Sequence, residues 1–127
     1  MEVLYEKKGV GAVYLKRLAK NSVLIISLRE NDEELRRRCY EIFIKYYPEV
    51  LKLLEGRETK KRIRFLMDTV ANAPLESYHV VHQDVGPFHI GIGDSYIEFK
   101  LPSHIIEGML RDGIVEVVKE WAERAKT

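Results

Sequence analysis

The stretch that decides the fold is HVVHQDVGPFHIGIGDSYIEF, residues 79–99. Apolar and polar residues alternate along most of it, the period of half-buried strands. Gly93-Asp94 lies between FHIGI and SYIEF and has the chemistry of a two-residue hairpin turn. With those two as the loop, Ile92 faces Ser95, Ile90 faces Ile97 and Phe88 faces Phe99. The apolar residues then share one face, so side-chain pattern and turn chemistry agree on the register. The segment reads as three antiparallel strands.

The same stretch holds three of the chain's four histidines. With DVGP (84–87) as a four-residue loop, His82 sits opposite His89, and His89 sits opposite Glu98. Directly opposed Cβ atoms lie roughly 4.5–5.5 Å apart. His82, His89 and Glu98 are therefore expected to form a row across three strands, on the face away from Phe88, Ile90 and Ile97. Tyr78 and Tyr96 lie nearby. His79 is three residues from His82, and on a strand those two positions point to opposite faces.

Upstream, the first 28 residues read as strand pieces. EVLYE (2–6) and SVLIISL (22–28) are rich in β-formers, AVYLKRLAK (12–20) suits strand or helix, and KKGVG and KNS suit turns. The period changes at Asn31. NDEE resembles a capping box with Asn31 as the cap and Glu34 three residues on. Leu35, Cys39, Ile42, Phe43 and Tyr46 then fall on one helical face. Pro48 cannot donate to the helix ladder and so kinks or restarts it. Val50, Leu51 and Leu54 extend the apolar face up to Gly56. A second helix follows, with Ile63, Leu66, Met67 and Val70 on one side, ending by Pro74.

Downstream, residues 103–111 read as a short helix closed by Gly113. Ile114, Val117, Val118, Trp121, Ala122 and Ala125 mark a final amphipathic helix. The pattern predicts one α+β domain over residues 1–127: a mainly antiparallel sheet with helices packed on one face.

Composition bounds the function. The longest run without a charged residue or a histidine is NSVLIISL (21–28), far short of the roughly 20 residues a membrane helix needs. The N-terminus, MEVLYEKKGVG, lacks the apolar segment of a secretory signal. A single cysteine, Cys39, allows no internal disulfide and suits a reducing interior, so a cytoplasmic location is expected. Charged residues make up 32% of the chain, against one glutamine and three asparagines. That balance suits a thermophile. The net charge is +1, from 21 basic and 20 acidic side chains. Any nucleic-acid site must therefore be a local patch.

Two basic runs are candidates for such a patch. Arg36, Arg37 and Arg38 are interleaved with Glu33, Glu34 and Glu41 at i, i+4 spacing, the pattern of a self-neutralised solvated face. Arg57, Lys60, Lys61 and Arg64 form a stripe of four cations on one helical face, offset only in part by Glu58 and Asp68. Such a stripe on a helix spanning 57–72 can contact phosphates without reading sequence.

Three function classes follow. The leading expectation is a non-enzymatic protein that binds nucleic acid through helix 57–72, as a homo-oligomer. The second is a hydrolase that uses His82, His89 and Glu98. Two imidazoles and a carboxylate can hold a divalent metal, or Glu98 can orient His89 as a general base. The third is a homo-oligomeric assembly module, suggested by Tyr40, Phe43, Tyr46, Tyr47 and Trp121. A histidine opposite a glutamate is also an ordinary cross-strand pair. No serine has a nucleophile-elbow context, and His104 has no clear role. Cys39 falls on an apolar face. No helix follows Gly86, Gly91 and Gly93, so the phosphate-cradling glycine pattern is missing and no cofactor is expected.

Overall fold

A computed structural model describes residues 1–28, 32–54, 61, 64, 81–85, 88–92 and 96–124. Six strands form one sheet: β1 (Glu2–Lys7), β2 (Gly11–Arg17), β3 (Asn21–Leu28), β4 (Val81–Val85), β5 (Phe88–Ile92) and β6 (Tyr96–Pro102). Their order across the sheet is β1-β2-β3-β6-β5-β4, and every neighbouring pair is antiparallel. Two three-stranded meanders thus meet at the centre, where β3 pairs with β6. The helices are α1 (Glu33–Ile44), α2 (Tyr47–Leu54), α3 (Ser103–Arg111) and α4 (Ile114–Arg124). The expected α+β class holds, with an antiparallel sheet and its helices on one face.

Alternation explains the sidedness. Val13, Leu15, Leu24, Ile26, Ile97, Phe99 and Leu101 are buried, while the residues between them on β3 and β6 are only partly so. The buried set meets Ile105, Ile106 and Met109 of α3, Val117, Val118 and Trp121 of α4, and Leu35, Cys39 and Phe43 of α1 in one core. Helix α4 lies over β1 and β2, and α3 lies over β3 and β6. Burial of this apolar surface is the main stabilising term. Inter-element ion pairs tie the rim: Arg38 to Glu120 at 3.1 Å, Arg124 to Glu34 at 3.1 Å, Arg17 to Glu107 at 2.7 Å and Lys7 to Glu123 at 2.7 Å.

The segment 12–20, open to either reading from its sequence, is mostly strand: β2 runs to Arg17. Helix α1 is capped by Asp32, whose side chain accepts a hydrogen bond from Leu35 N at 2.7 Å. The cap therefore lies one residue beyond the expected Asn31, which is outside the described residues. Asp32 offers the same short acceptor, and its backbone has the extended conformation an N-cap needs. The helix ends at Ile44 and a new one begins at Tyr47, so Pro48 occupies the first turn of α2, where its missing N–H costs nothing. Gly113, with φ +91°, separates α3 from α4 in a conformation that disfavours any side chain.

Arg36 departs from the solvated run expected for residues 36–38. It is 1% exposed, whereas Arg37 and Arg38 face solvent and pair with Glu33 and Glu120. The reason is helical geometry. Arg36 is three residues before Cys39 and seven before Phe43, so it shares their stripe. Residues 57–72, expected to form a helix, lie outside the described residues except Lys61 and Arg64, both with helical backbone. His79, Gly56 and Ala125 also lie outside them.

Candidate functional site

Both hairpins that carry the histidines are shifted by two residues from the expected register. Ile92 pairs with Ile97 and Ile90 with Phe99, rather than Ile90 with Ile97, and the expected turn residues Gly93 and Asp94 lie outside the described residues. Val85 pairs with Phe88, so the β4–β5 connection is residues 86–87 rather than 84–87. Extending the ladder by Val85 and Phe88 keeps two strong β-formers paired. A slip of two preserves which face each residue occupies, because the side-chain period is two. It changes who is opposite whom.

The expected row of His82, His89 and Glu98 therefore does not exist as such. His82 is opposite Gly91, and Gly91 is opposite Glu98. His89 is opposite Asp84 on one side and Lys100 on the other. All these positions share one face. Its continuation on the first meander is Ile25, Tyr14 and Val3 in one row, and Val23 and Lys16 in the next. Val3 is 52% exposed and Tyr14, Val23, Ile25, Tyr96 and Glu98 are partly exposed. This is the sheet face away from the helices. Asp84, Gly91 and Lys100 belong to the histidine neighbourhood but escape a reading that treats the histidines as a straight row. The observed registers of both hairpins place them there.

A groove of about 320 Å³ opens at the other end of the sheet, beside the β1–β2 turn. Lys8, Gly9, Ala12, Tyr14 and Ser27 line part of it. Lys7, also in its wall, is taken up by Glu123.

No family model, curated protein or solved structure matches this chain. Function must therefore be argued from the groups themselves. Burial pushes the Cys39 thiol up to about 12, with Arg38 opposing the rise only in part. A thiol so placed is a core group and not a nucleophile. Tyr46 is raised by burial and by Asp112, which accepts its hydroxyl hydrogen bond at 3.2 Å. Arg17 is held charged by Glu107 and Glu2. His104 Nε2 lies 2.8 Å from Glu49 Oε1, linking α3 to α2, a structural role its sequence position does not reveal.

Of the four residues in the basic stripe, Lys61 and Arg64 are exposed on helical backbone. Arg57 and Lys60 lie outside the described residues. Among the described residues, no helix is long and apolar enough to cross a membrane, and no group of three or more His, Cys, Asp or Glu side chains is gathered for a metal. The side chains of β4 and β5 are not among those described, so the histidine neighbourhood is defined by backbone register alone.

Proposed function

We propose that this is a non-enzymatic protein that binds nucleic acid through the basic helix of residues 57–72, with Arg57, Lys60, Lys61 and Arg64 as the contact set. The observation that supports the reading is the contrast between this helix and α1 and α4, although Lys52 of α2 and Arg111 of α3 are likewise exposed and outside the ion pairs. On α1 and α4, Arg37, Arg38, Lys119 and Arg124 are all engaged by carboxylates. Lys61 and Arg64 are exposed and make no ion pair with any described residue. Cations not already neutralised are the ones that displace counterions from a phosphate backbone. Their i, i+3 spacing puts both on one side of a helix.

The test is salt-dependent binding to a duplex and to a single strand. Lys61→Glu with Arg64→Glu should weaken binding to both and flatten the dependence on salt. On duplex DNA the log–log slope should fall by roughly 0.9 for each phosphate that is no longer neutralised. An unchanged slope would sink the reading.

A second reading, homo-oligomer formation, is favoured by a separate observation. Val3, Tyr14, Val23, Ile25 and Tyr96 leave apolar surface on the sheet face opposite the helices. Val23→Lys with Ile25→Lys should leave a monomer in sedimentation equilibrium if that face closes an oligomer. An oligomer that survives the change must close elsewhere. A cytoplasmic setting and a hot habitat belong to the same proposal. The buried free thiol of Cys39 and the ion pairs between elements support them.

A further inference from the structure

We propose that the open sheet face around Tyr14 binds a single strand of nucleic acid. The groove at the β1–β2 turn receives one base, and Lys8 and Lys16 meet the neighbouring phosphates. Val13 and Leu15 belong to the core, so alternation puts Ala12, Tyr14 and Lys16 on the other face of β2, each about 7 Å from the next. Ala12 has Glu6 beside it on β1 and Ser27 beside it on β3. The groove of about 320 Å³ is lined by this row, by Tyr14 and by Lys8 of the turn. Its volume lies near the small end of ligand sites, about 300–1,000 Å³. Ala12 and Ser27 are short, which leaves depth beside the longer Tyr14 ring, itself partly exposed.

The chemistry of the face selects the ligand. An aromatic ring on an open sheet stacks on a base of any sequence, but only where that base is unpaired and splayed out. Lys8 and Lys16 are exposed, and neither makes an ion pair with any described residue. Lys100, partly exposed and likewise outside the ion pairs, lies two strands from Lys16 across Val23. Cations of this kind displace counterions from a phosphate backbone. Glu6 at the groove and Glu98 in the row of Tyr14 oppose them. A second copy laid on the same rows would bury Lys16 and Lys100 beside Val23, whereas interface cores are depleted in charge. The strand and a second copy therefore compete for this face. The face is separate from helix 57–72, and its test is independent of that helix.

The experiment is fluorescence anisotropy of the full-length protein with labelled oligothymidylate and oligouridylate of about 12 nucleotides, and with a labelled duplex. Tyr14→Ala should weaken single-strand binding about fivefold or more, the loss of one stacked base, and leave duplex binding unchanged. Tyr14→Phe should keep the affinity, since the ring and not the hydroxyl makes the contact. Lys8→Gln with Lys16→Gln should lower the single-strand salt slope by about 0.7 for each phosphate released. Glu6→Gln should tighten single-strand binding. The lysines are exposed, so their variants give the reading even where Tyr14→Ala does not fold. Lys61→Glu with Arg64→Glu acts on strand and duplex alike, so failure of the basic helix is told from failure of this face by which ligand is lost. The proposal is overturned if single-strand binding survives both Tyr14→Ala and the lysine pair unchanged. It is also overturned if Tyr14→Ala turns an oligomer into monomers in sedimentation while single-strand affinity stays the same, for the face then belongs to a second copy.

Discussion

The rings of Phe43 on α1 and Phe99 on β6 stack with centroids 5.5 Å apart and planes 14° from parallel. This pair fastens the first helix to one of the two central strands of the sheet, and both residues are at most 1% exposed. Phe43→Ala should cost about 3–5 kcal/mol of stability in denaturant unfolding. A double-mutant cycle with Phe99→Ala should return a coupling of about 0.5–1.5 kcal/mol beyond burial. Additive losses would mean that the stacking contributes nothing specific.

Gly108 offers a test with a competing term. A Cβ there would meet the Tyr46 ring at 2.6 Å from its Cζ. In an open helix, Gly→Ala gains about 1 kcal/mol. Here overlap should reverse the sign, with a net loss of about 1–3 kcal/mol. In a Tyr46→Ala background the ring is gone, and Gly108→Ala should become neutral or stabilising. Thermal melts of the four proteins decide it.

The buried Cys39 thiol predicts alkaline sensitivity. In the fold it ionises near 12, above its ordinary 9.0. A raised value means the stability it contributes is complete below pH 9. That stability is lost between pH 9 and 12, as the unfolded chain ionises and the native one does not. The loss should approach roughly 4 kcal/mol across that window. Cys39→Ala should remove this slope, and thiol reagents at pH 8 should label the wild type only on unfolding. Rapid labelling of the native protein would contradict the burial.

Asp32→Ala should cost about 0.5–2 kcal/mol by removing the side-chain acceptor at the start of α1. Asp32→Asn should recover most of it. Amide exchange at Leu35, the donor to that carboxylate, should rise in the alanine variant and return in the asparagine one.

How far the sequence reveals this molecule depends on which physical signal each feature carries. Faces are legible. Alternation puts Ile90, Ile92, Ile97 and Phe99 on one side, and the observed register keeps them there. The rows are not, because a two-residue slip satisfies the same alternation and only the loops arbitrate. Hence His82 has Gly91 rather than His89 as its partner. The start of α1 is legible to one residue, since Asn31 and Asp32 are equally good caps. Arg36 is hidden by its charge, although its spacing to Cys39 and Phe43 places it in their stripe. The pairing of β3 with β6 leaves no local trace, since nothing in either segment names its distant partner.

That central pairing sets the order of assembly. Ser22 and Ser103, 81 residues apart, meet with oxygens at 3.1 Å beside the seam. Each meander can close from its own short connections in microseconds. Joining them means closing the long loop between β3 and β6, the slow kind of step in a sheet of high contact order. During synthesis, β3 reaches the ribosome exit with its outer edge unmatched and its run VLIIS open to other chains. At about 5–20 residues per second, β6 follows several seconds later. In that interval the unmatched edge of β3 is open to pairing with other chains.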